Sequence, residues 1–310
     1  MFKKLKGIVS LGKIGCVEHD FVPIKQFVCS EDVEVWSGDF NAKWLMDSIK
    51  NRISEMPQEC DFFIMGYDGS QNYLVDRIKP KVVVAFDSVD FPELLPKPID
   101  KYDLLFKLQV NQYTRKLKQK TFVYQYPISY NKLSSPDQNV NREYDISFLG
   151  GLWPPCPDET HPRSIAVDIL KREFGDKFYG GITNIGLKNY IENHDFDNYL
   201  SILNKTKVVL NVSNKRDIYN GRHCRRQTEA FMMGCPIISN RMDSEWSLEP
   251  DGDICYYFKH DFSDLIQVAH LAVESFTETI SKKCNSFFIE EYYNQGKKLY
   301  DLIKTELKNK

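Results

Sequence analysis

Lys207-Val-Val-Leu-Asn-Val212 and, after a polar stretch, Gly221-Arg-His-Cys-Arg-Arg-Gln-Thr-Glu-Ala-Phe-Met-Met-Gly-Cys-Pro-Ile-Ile-Ser239 read as strand, basic turn, helix and strand. The first segment is a β-branched apolar run of strand length. Residues 227–233 form a short helix that stops at Gly234, a residue without a Cβ that can take the left-handed conformation closing a helix. Cys235-Pro-Ile-Ile-Ser239 is the strand that follows. Two apolar strands joined through a helix form a crossover unit of a parallel sheet.

The same alternation extends outward from this unit. On its N-terminal side lie the strand Tyr144-Asp-Ile-Ser-Phe-Leu149, stopped by Gly150-Gly151, and a helix from Pro162 to Arg172 with apolar residues on one face. A short strand at Phe178-Tyr179 and a helix over 196–204 complete this series. An earlier series runs Cys60-Asp-Phe-Phe-Ile-Met-Gly66, a helix from Gln71 to Ile78, Lys81-Val-Val-Val-Ala-Phe86, then apolar runs at 102–108 and 120–124. Near-continuous apolar runs are what parallel strands covered on both faces look like. The polar, aperiodic stretch between Pro127 and Glu143 separates the two series. The fold expected is α/β, with two Rossmann-like lobes facing a central cleft. Residues 1–130 form the first lobe, 131–143 a linker, 144–285 the second lobe and 286–310 a C-terminal helix. In open α/β sheets ligands lie at the carboxyl ends of the strands.

Composition narrows the classes. The 310 residues carry 41 Lys+Arg against 43 Asp+Glu, a formal charge of −2, so bulk electrostatics do not hold this chain to nucleic acid. With 42% hydrophobic and 13% aromatic residues it has the apolar surface that disordered chains lack. No apolar run reaches the length of a membrane span, and the basic N-terminus lacks the apolar core of a secretory signal. The eight cysteines show no C-x-x-C spacing, so buried free thiols in a reducing compartment are expected, and a cytoplasmic location with them.

Chemistry concentrates in the opening stretch. Arg222, His223, Arg225 and Arg226 immediately precede a helix whose first N–H groups already favour an anion. A diphosphate suits that environment. One turn further along, Glu229 is placed to accept hydrogen bonds from paired hydroxyls such as those of a ribose. The competing structural reading is a solvated basic loop with Glu229 paired to Arg225 or Arg226, since ion pairs three or four residues apart on helices are common.

These residues also carry a resemblance. Tyr144–Gly150, Arg163 opening a helix, Tyr179-Gly180, the segment Tyr199-Leu-x-x-Leu-Asn-Lys-Thr-Lys-Val-Val-Leu-Asn211 and Arg226-x-x-Glu-Ala-x-x-x-Gly234-x-Pro-Ile-Ile together resemble the nucleotide-sugar-binding half of GT-B-fold glycosyltransferases. The spore-maturation-type and family-1-like groups are the most similar. The resemblance covers residues 144 to about 275, and the first lobe contributes no motif. It implies a donor site in the second lobe, with Glu229 on the ribose and Arg226 near the phosphates. Arg222, Arg163 and Lys207, with Gly150 and Gly151, are further candidates there. The resemblance also implies a nucleotide-diphosphate sugar as co-substrate and no catalytic metal, because cations and backbone donors stabilise the charge developing on the leaving diphosphate. It also implies a last helix that crosses back to the first lobe, for which the amphipathic segment 287–307, interrupted around Gly296, has the length. Many retaining members carry a second glutamate seven residues before the one matching Glu229, where this chain has Arg222, so the stereochemistry stays open.

An inverting transfer needs a general base from the first lobe. Asp68, Asp87 and Asp90 follow predicted strands, and His19 is a further option because histidine as a residue type is suited to proton transfer. Aspartates in such turns also serve as helix caps and turn formers. Asp195-Phe-Asp197 is a D-x-D string, read as capping and solvation because it follows no buried strand. The function expected is transfer of a sugar from a nucleotide-diphosphate sugar to an acceptor hydroxyl. The acceptor is open among a saccharide, a lipid-linked intermediate, a protein, a small molecule and a modified DNA base. Two alternatives remain: a same-fold nucleotide-sugar epimerase or hydrolase, and a catalytically silent nucleotide or nucleotide-sugar binding protein.

Overall fold

The computed structural model describes residues 4–10, 33–36, 59–66, 72–87, 101–107, 120–123, 136–137, 140–151, 161–182, 196–213, 225–240 and 252–310. The chain divides into two units, residues 1–131 with 291–310, and residues 132–290.

The first unit holds a six-stranded parallel sheet made of β1 (Leu5–Ser10), β2 (Val33–Trp36), β3 (Phe62–Gly66), β4 (Val82–Asp87), β5 (Leu104–Lys107) and β6 (Lys120–Val123). Their order is β2-β1-β3-β4-β5-β6, and α1 (Asn72–Ile78) links β3 to β4. Alternation along the strands sends Phe62, Ile64, Val82 and Val84 into one core and Phe63, Met65, Val83 and Ala85 into another. Both faces are therefore apolar, which is why β3 and β4 read as continuous hydrophobic runs. The sequence did not mark β1 as a strand, because Lys6 and Gly7 interrupt its apolar residues. Gly7 is required there: it pairs with Phe62 in register, and a Cβ on it would lie 2.1 Å from that ring.

The second unit holds β7 (Tyr144–Gly150), α2 (Pro162–Phe174), β8 (Phe178–Ile182), α3 (Phe196–Asn204), β9 (Thr206–Asn211), α4 (Arg225–Met232), β10 (Ile237–Asn240), β11 (Cys255–Phe258), α5 (Leu265–Ser275) and α6 (Glu278–Phe288). The five strands are parallel in the order β11-β10-β9-β7-β8. One face packs Ile146, Phe148, Val208 and Leu210 against α2 and α5. On the other face α3 packs on β9, and α4 on β9 and β10. Gly234 closes α4 with φ +70°, and the Cys235 N–H donates to the Ala230 carbonyl at 2.8 Å, as the sequence predicts.

The stretch 131–143, read as a linker, contains a residue built into this unit. Arg142 Nη1 donates to the carbonyls of Leu203 and Thr206, both at 2.8 Å, and Nη2 donates to Met233 O at 3.1 Å. Its guanidinium also stacks 5.5 Å over the Phe276 ring. The Leu203 and Thr206 carbonyls also accept from the Cys235 thiol, whose pKa burial raises although Arg142 lies beside it. Cys60, Cys235, Cys255 and Cys284 are buried free thiols. Burial, with the Asp61 carboxylate beside it, pushes Cys60 up to about 12.

The last helix, α7 (Gln295–Asn309), returns to the first unit. Leu299 and Ile303, one turn apart, are fully buried against Val33, Phe62 and Ile64. Each such side chain contributes about 1.5 to 3 kcal/mol by leaving water. Lys310 then pairs with Asp103 at 2.7 Å. The interruption expected around Gly296 falls instead at Ile289–Tyr293, a π-helical segment. Gly296 lies buried in the first turn of α7, inside the helix. Among the described residues no helix is long and apolar enough to cross a membrane.

Arg142→Ala removes three hydrogen bonds to main-chain carbonyls at once and leaves them only the weak Cys235 thiol donor. It is expected to cost about 3 kcal/mol in urea unfolding. Arg142→Lys should recover little, since one ammonium lacks the planar fork that reaches α3, β9 and the end of α4 together. Wild-type stability in both variants would refute the role of this residue as the pin of the second unit.

Candidate functional site

The site is built on the carboxyl edge of the second sheet, where β7, β9 and β10 end and α4 begins. Arg226 is the second residue of α4, and its Nε donates to the Leu149 carbonyl at 3.1 Å. The guanidinium carbon lies 4.4 Å from the centroid of the Phe148 ring, a cation–π contact. A Cβ at Gly150 would lie 2.1 Å from Arg226 Nη2, so this arginine needs glycine at the end of β7. Arg226 Nη1 is buried without a hydrogen-bond partner.

Arg163 opens α2 behind Pro162, with the ring of His161 capping the helix by accepting from the Arg163 N–H at 3.1 Å. Its Nε donates to Val212 O at 3.1 Å and its Nη1 to Gly151 O at 2.6 Å. One side chain thus ties the backbone that follows β7 to the backbone that follows β9. Asn240, the last residue of β10, continues the chain of bonds: Oδ1 accepts from the Ser213 N–H at 2.8 Å and Nδ2 donates to Ser213 O at 3.0 Å. Asn211 Nδ2 donates to Ser239 Oγ at 3.1 Å within the same edge. Glu229 is buried on α4, one turn beyond Arg226.

The structure therefore brings Arg226, Arg163, Gly150 and Gly151 together around one edge, with Glu229 buried one turn along α4. Arg163 acts there on two backbone carbonyls. Lys207 is elsewhere: it sits near the amino end of β9, where it pairs with Asp145 at 2.7 Å. Six residues of extended chain, about 20 Å, separate it from Ser213. Asp87 is the last residue of β4 in the first unit. Asp68, Asp90, His19 and Arg222 lie outside the described residues, as do His223 and Asp195. Among the described residues no group of three or more His, Cys, Asp or Glu side chains could hold a metal ion.

Sequence reading passed over Asn211, Ser213, Ser239 and Asn240. The signal was available, since each closes an apolar run at the carboxyl end of its strand, where buried polar groups have reason to exist. His161 was passed over too, although a polar residue before a helix-opening proline marks a cap.

No family model and no curated protein matches the sequence. Solved structures do. AviGT4, a glycosyltransferase involved in avilamycin A biosynthesis, superposes with a TM-score of 0.54 at 11% identity over 99% of both chains. Anabaena Alr3699/HepE in complex with UDP and glucose gives 0.51 at 11%, covering 97% of this chain and 99% of that one. An α-glucosyltransferase in complex with UDP gives 0.51 at 12%, over 97% and 99%. The fold is that of GT-B glycosyltransferases. These superpositions establish the architecture alone.

Gly150→Ala should push the Arg226 guanidinium off the end of β7 and cost about 1 to 3 kcal/mol of stability. The loss should shrink in the Gly150→Ala, Arg226→Ala double variant, because the collision then has no partner. A double-mutant cycle by urea unfolding should return a coupling of about 0.5 to 3 kcal/mol. Strict additivity would mean that the two residues do not touch.

Proposed function

We propose that this protein is a glycosyltransferase that takes a sugar from a nucleoside-diphosphate donor held by the second unit and passes it to an acceptor hydroxyl. The observation that carries the reading is the Arg226 guanidinium, fixed in the first turn of α4 with a buried N–H left unpaired. A helix N-terminus and an oriented guanidinium together suit a diphosphate. In this reading Arg226 contacts the phosphates, Glu229 accepts hydrogen bonds from the ribose hydroxyls, and Arg163 holds the strand ends in place. Complexes of two fold neighbours with UDP support uracil as the first base to test.

The transfer breaks the bond between the anomeric carbon and the diphosphate oxygen and forms one to the acceptor oxygen. The leaving diphosphate takes up negative charge, which Arg226 and the α4 amides meet in place. In an inverting transfer the acceptor proton passes to a general base. Asp87, at the carboxyl end of β4, is one candidate, and Asp68, Asp90 and His19 are the others.

The test is thermal unfolding with UDP, GDP, ADP and their sugars on the wild type, Arg226→Ala and Glu229→Ala. A ligand present at about 100 times its Kd stabilises the native state by roughly 2.7 kcal/mol. A shift selective for one nucleotide, lost in Arg226→Ala and weakened in Glu229→Ala, is expected. No shift with any nucleotide would overturn the proposal. Mass spectrometry of the bound donor then separates the classes. Consumption that needs an acceptor marks a transferase, consumption without one a hydrolase or epimerase, and an intact donor a binding protein.

A further inference from the structure

The peptide between Val212 and Ser213 is held from both sides. Its carbonyl accepts from Arg163 Nε at 3.1 Å, and its N–H donates to Asn240 Oδ1 at 2.8 Å. The next carbonyl, that of Ser213, accepts from Asn240 Nδ2 at 3.0 Å. The backbone of Ser213 thus has its donor and its acceptor occupied, and two side chains from other elements keep it still. Its hydroxyl is a different case: Ser213 is 2% exposed, and its Oγ has no hydrogen-bond partner.

Val212 still belongs to the core on the α2 and α5 side. Alternation therefore carries through the end of β9 and puts Ser213, with Val209 and Asn211, on the face that α4 covers. In the first turn of α4, Arg226 Nη1, Gln227 Nε2 and Thr228 Oγ1 are likewise buried and unpartnered. All four groups can donate a hydrogen bond, and two of them can only donate. Buried polar groups in folded proteins are otherwise paired, and an unpaired one costs about 1 to 3 kcal/mol. Consecutive helix residues point about 100° apart, so these groups do not share one direction; the Ser213 hydroxyl, at the carboxyl end of its strand, where ligands of open α/β sheets lie, has its complement in a ligand rich in acceptors.

We propose that Ser213 is a binding residue, its hydroxyl donating to an anionic oxygen of the donor diphosphate. Arg163 and Asn240 act through it as positioning residues that lock the peptide carrying it. This rests on the donor-site reading above and adds to it a contact and a means of preorganisation. A hydroxyl with no partner in the protein differs from a structural one in a measurable way. Removing it leaves the unliganded protein as stable as before, while the ligand is bound less well.

The experiment compares wild type and Ser213→Ala by urea unfolding without ligand and by calorimetric titration with UDP. Unliganded stability is expected to stay level or rise, and the Kd for UDP to rise about tenfold or more. Asn240→Ala, which frees the peptide but keeps the hydroxyl, should also weaken UDP binding and, unlike Ser213→Ala, should lower unliganded stability. If wild type binds UDP and Ser213→Ala binds it equally well, the proposal is overturned and the donor-site reading stands. A Ser213→Ala protein that is clearly destabilised without ligand would give the hydroxyl a structural role and overturn the proposal too. If wild type binds none of UDP, GDP and ADP, the donor-site reading fails, and this contact fails with it.

Discussion

A guanidinium can rest against the end of a buried strand only where the strand has no side chain to collide with it, and Gly150 has none. The contacts of Arg226 at the carboxyl edge of the second sheet follow from that vacancy of one methyl group. Arg226 can reach the Leu149 carbonyl and lie over the Phe148 ring at the same time. The first turn of α4 is thereby fixed to the end of β7, although β9 stands between β7 and the strand that α4 leads into. Two segments far apart in sequence become one wall.

The two edges of that sheet are held by different physics. The amino edge carries Lys207 with Asp145 and Lys205 with Glu143, partly exposed pairs at 2.7 and 3.3 Å. Such pairs contribute about 0 to 1 kcal/mol each and can exchange with water. The carboxyl edge is held by Arg163, Arg226 and Asn240, each bonded to main-chain groups. Bonds to backbone from planar, short or ring-stacked side chains give little latitude. A rigid edge is what a site needs if donors are to stand ready for a charge that forms during reaction.

Legibility followed burial. Strands covered on both faces, such as Phe62–Gly66 and Val82–Asp87, were plain in the sequence because burial on both sides demands unbroken apolar runs. The strand Leu5–Ser10 was not, since Gly7 there answers to the Phe62 ring rather than to any local preference. The strand Cys255–Phe258 also went unread: it stands at the edge of its sheet, where Tyr256 and Tyr257 are only half covered. The helix Leu265–Ser275 was overlooked for a related reason, because its buried positions include small alanines that leave a weak apolar stripe. Within the site, charged residues beside a helix start drew notice, while Asn211, Ser213 and Asn240 did not. Their polarity is ordinary until burial makes it costly.

What the sequence by itself determined is the succession of parallel strands and helices, the glycine that ends α4 and the basic character of that helix's first turn. These depend on periodicity, on φ and on charge, all of which act over a few residues. Tertiary structure alone decided that Arg163 serves two carbonyls, that Arg142 belongs to a folded unit instead of a linker, and that Lys207 stands at the far edge from Arg226. Strand direction sends residues a short way apart in the chain to opposite ends of the sheet, and hydrogen bonds join whichever ends the fold brings together.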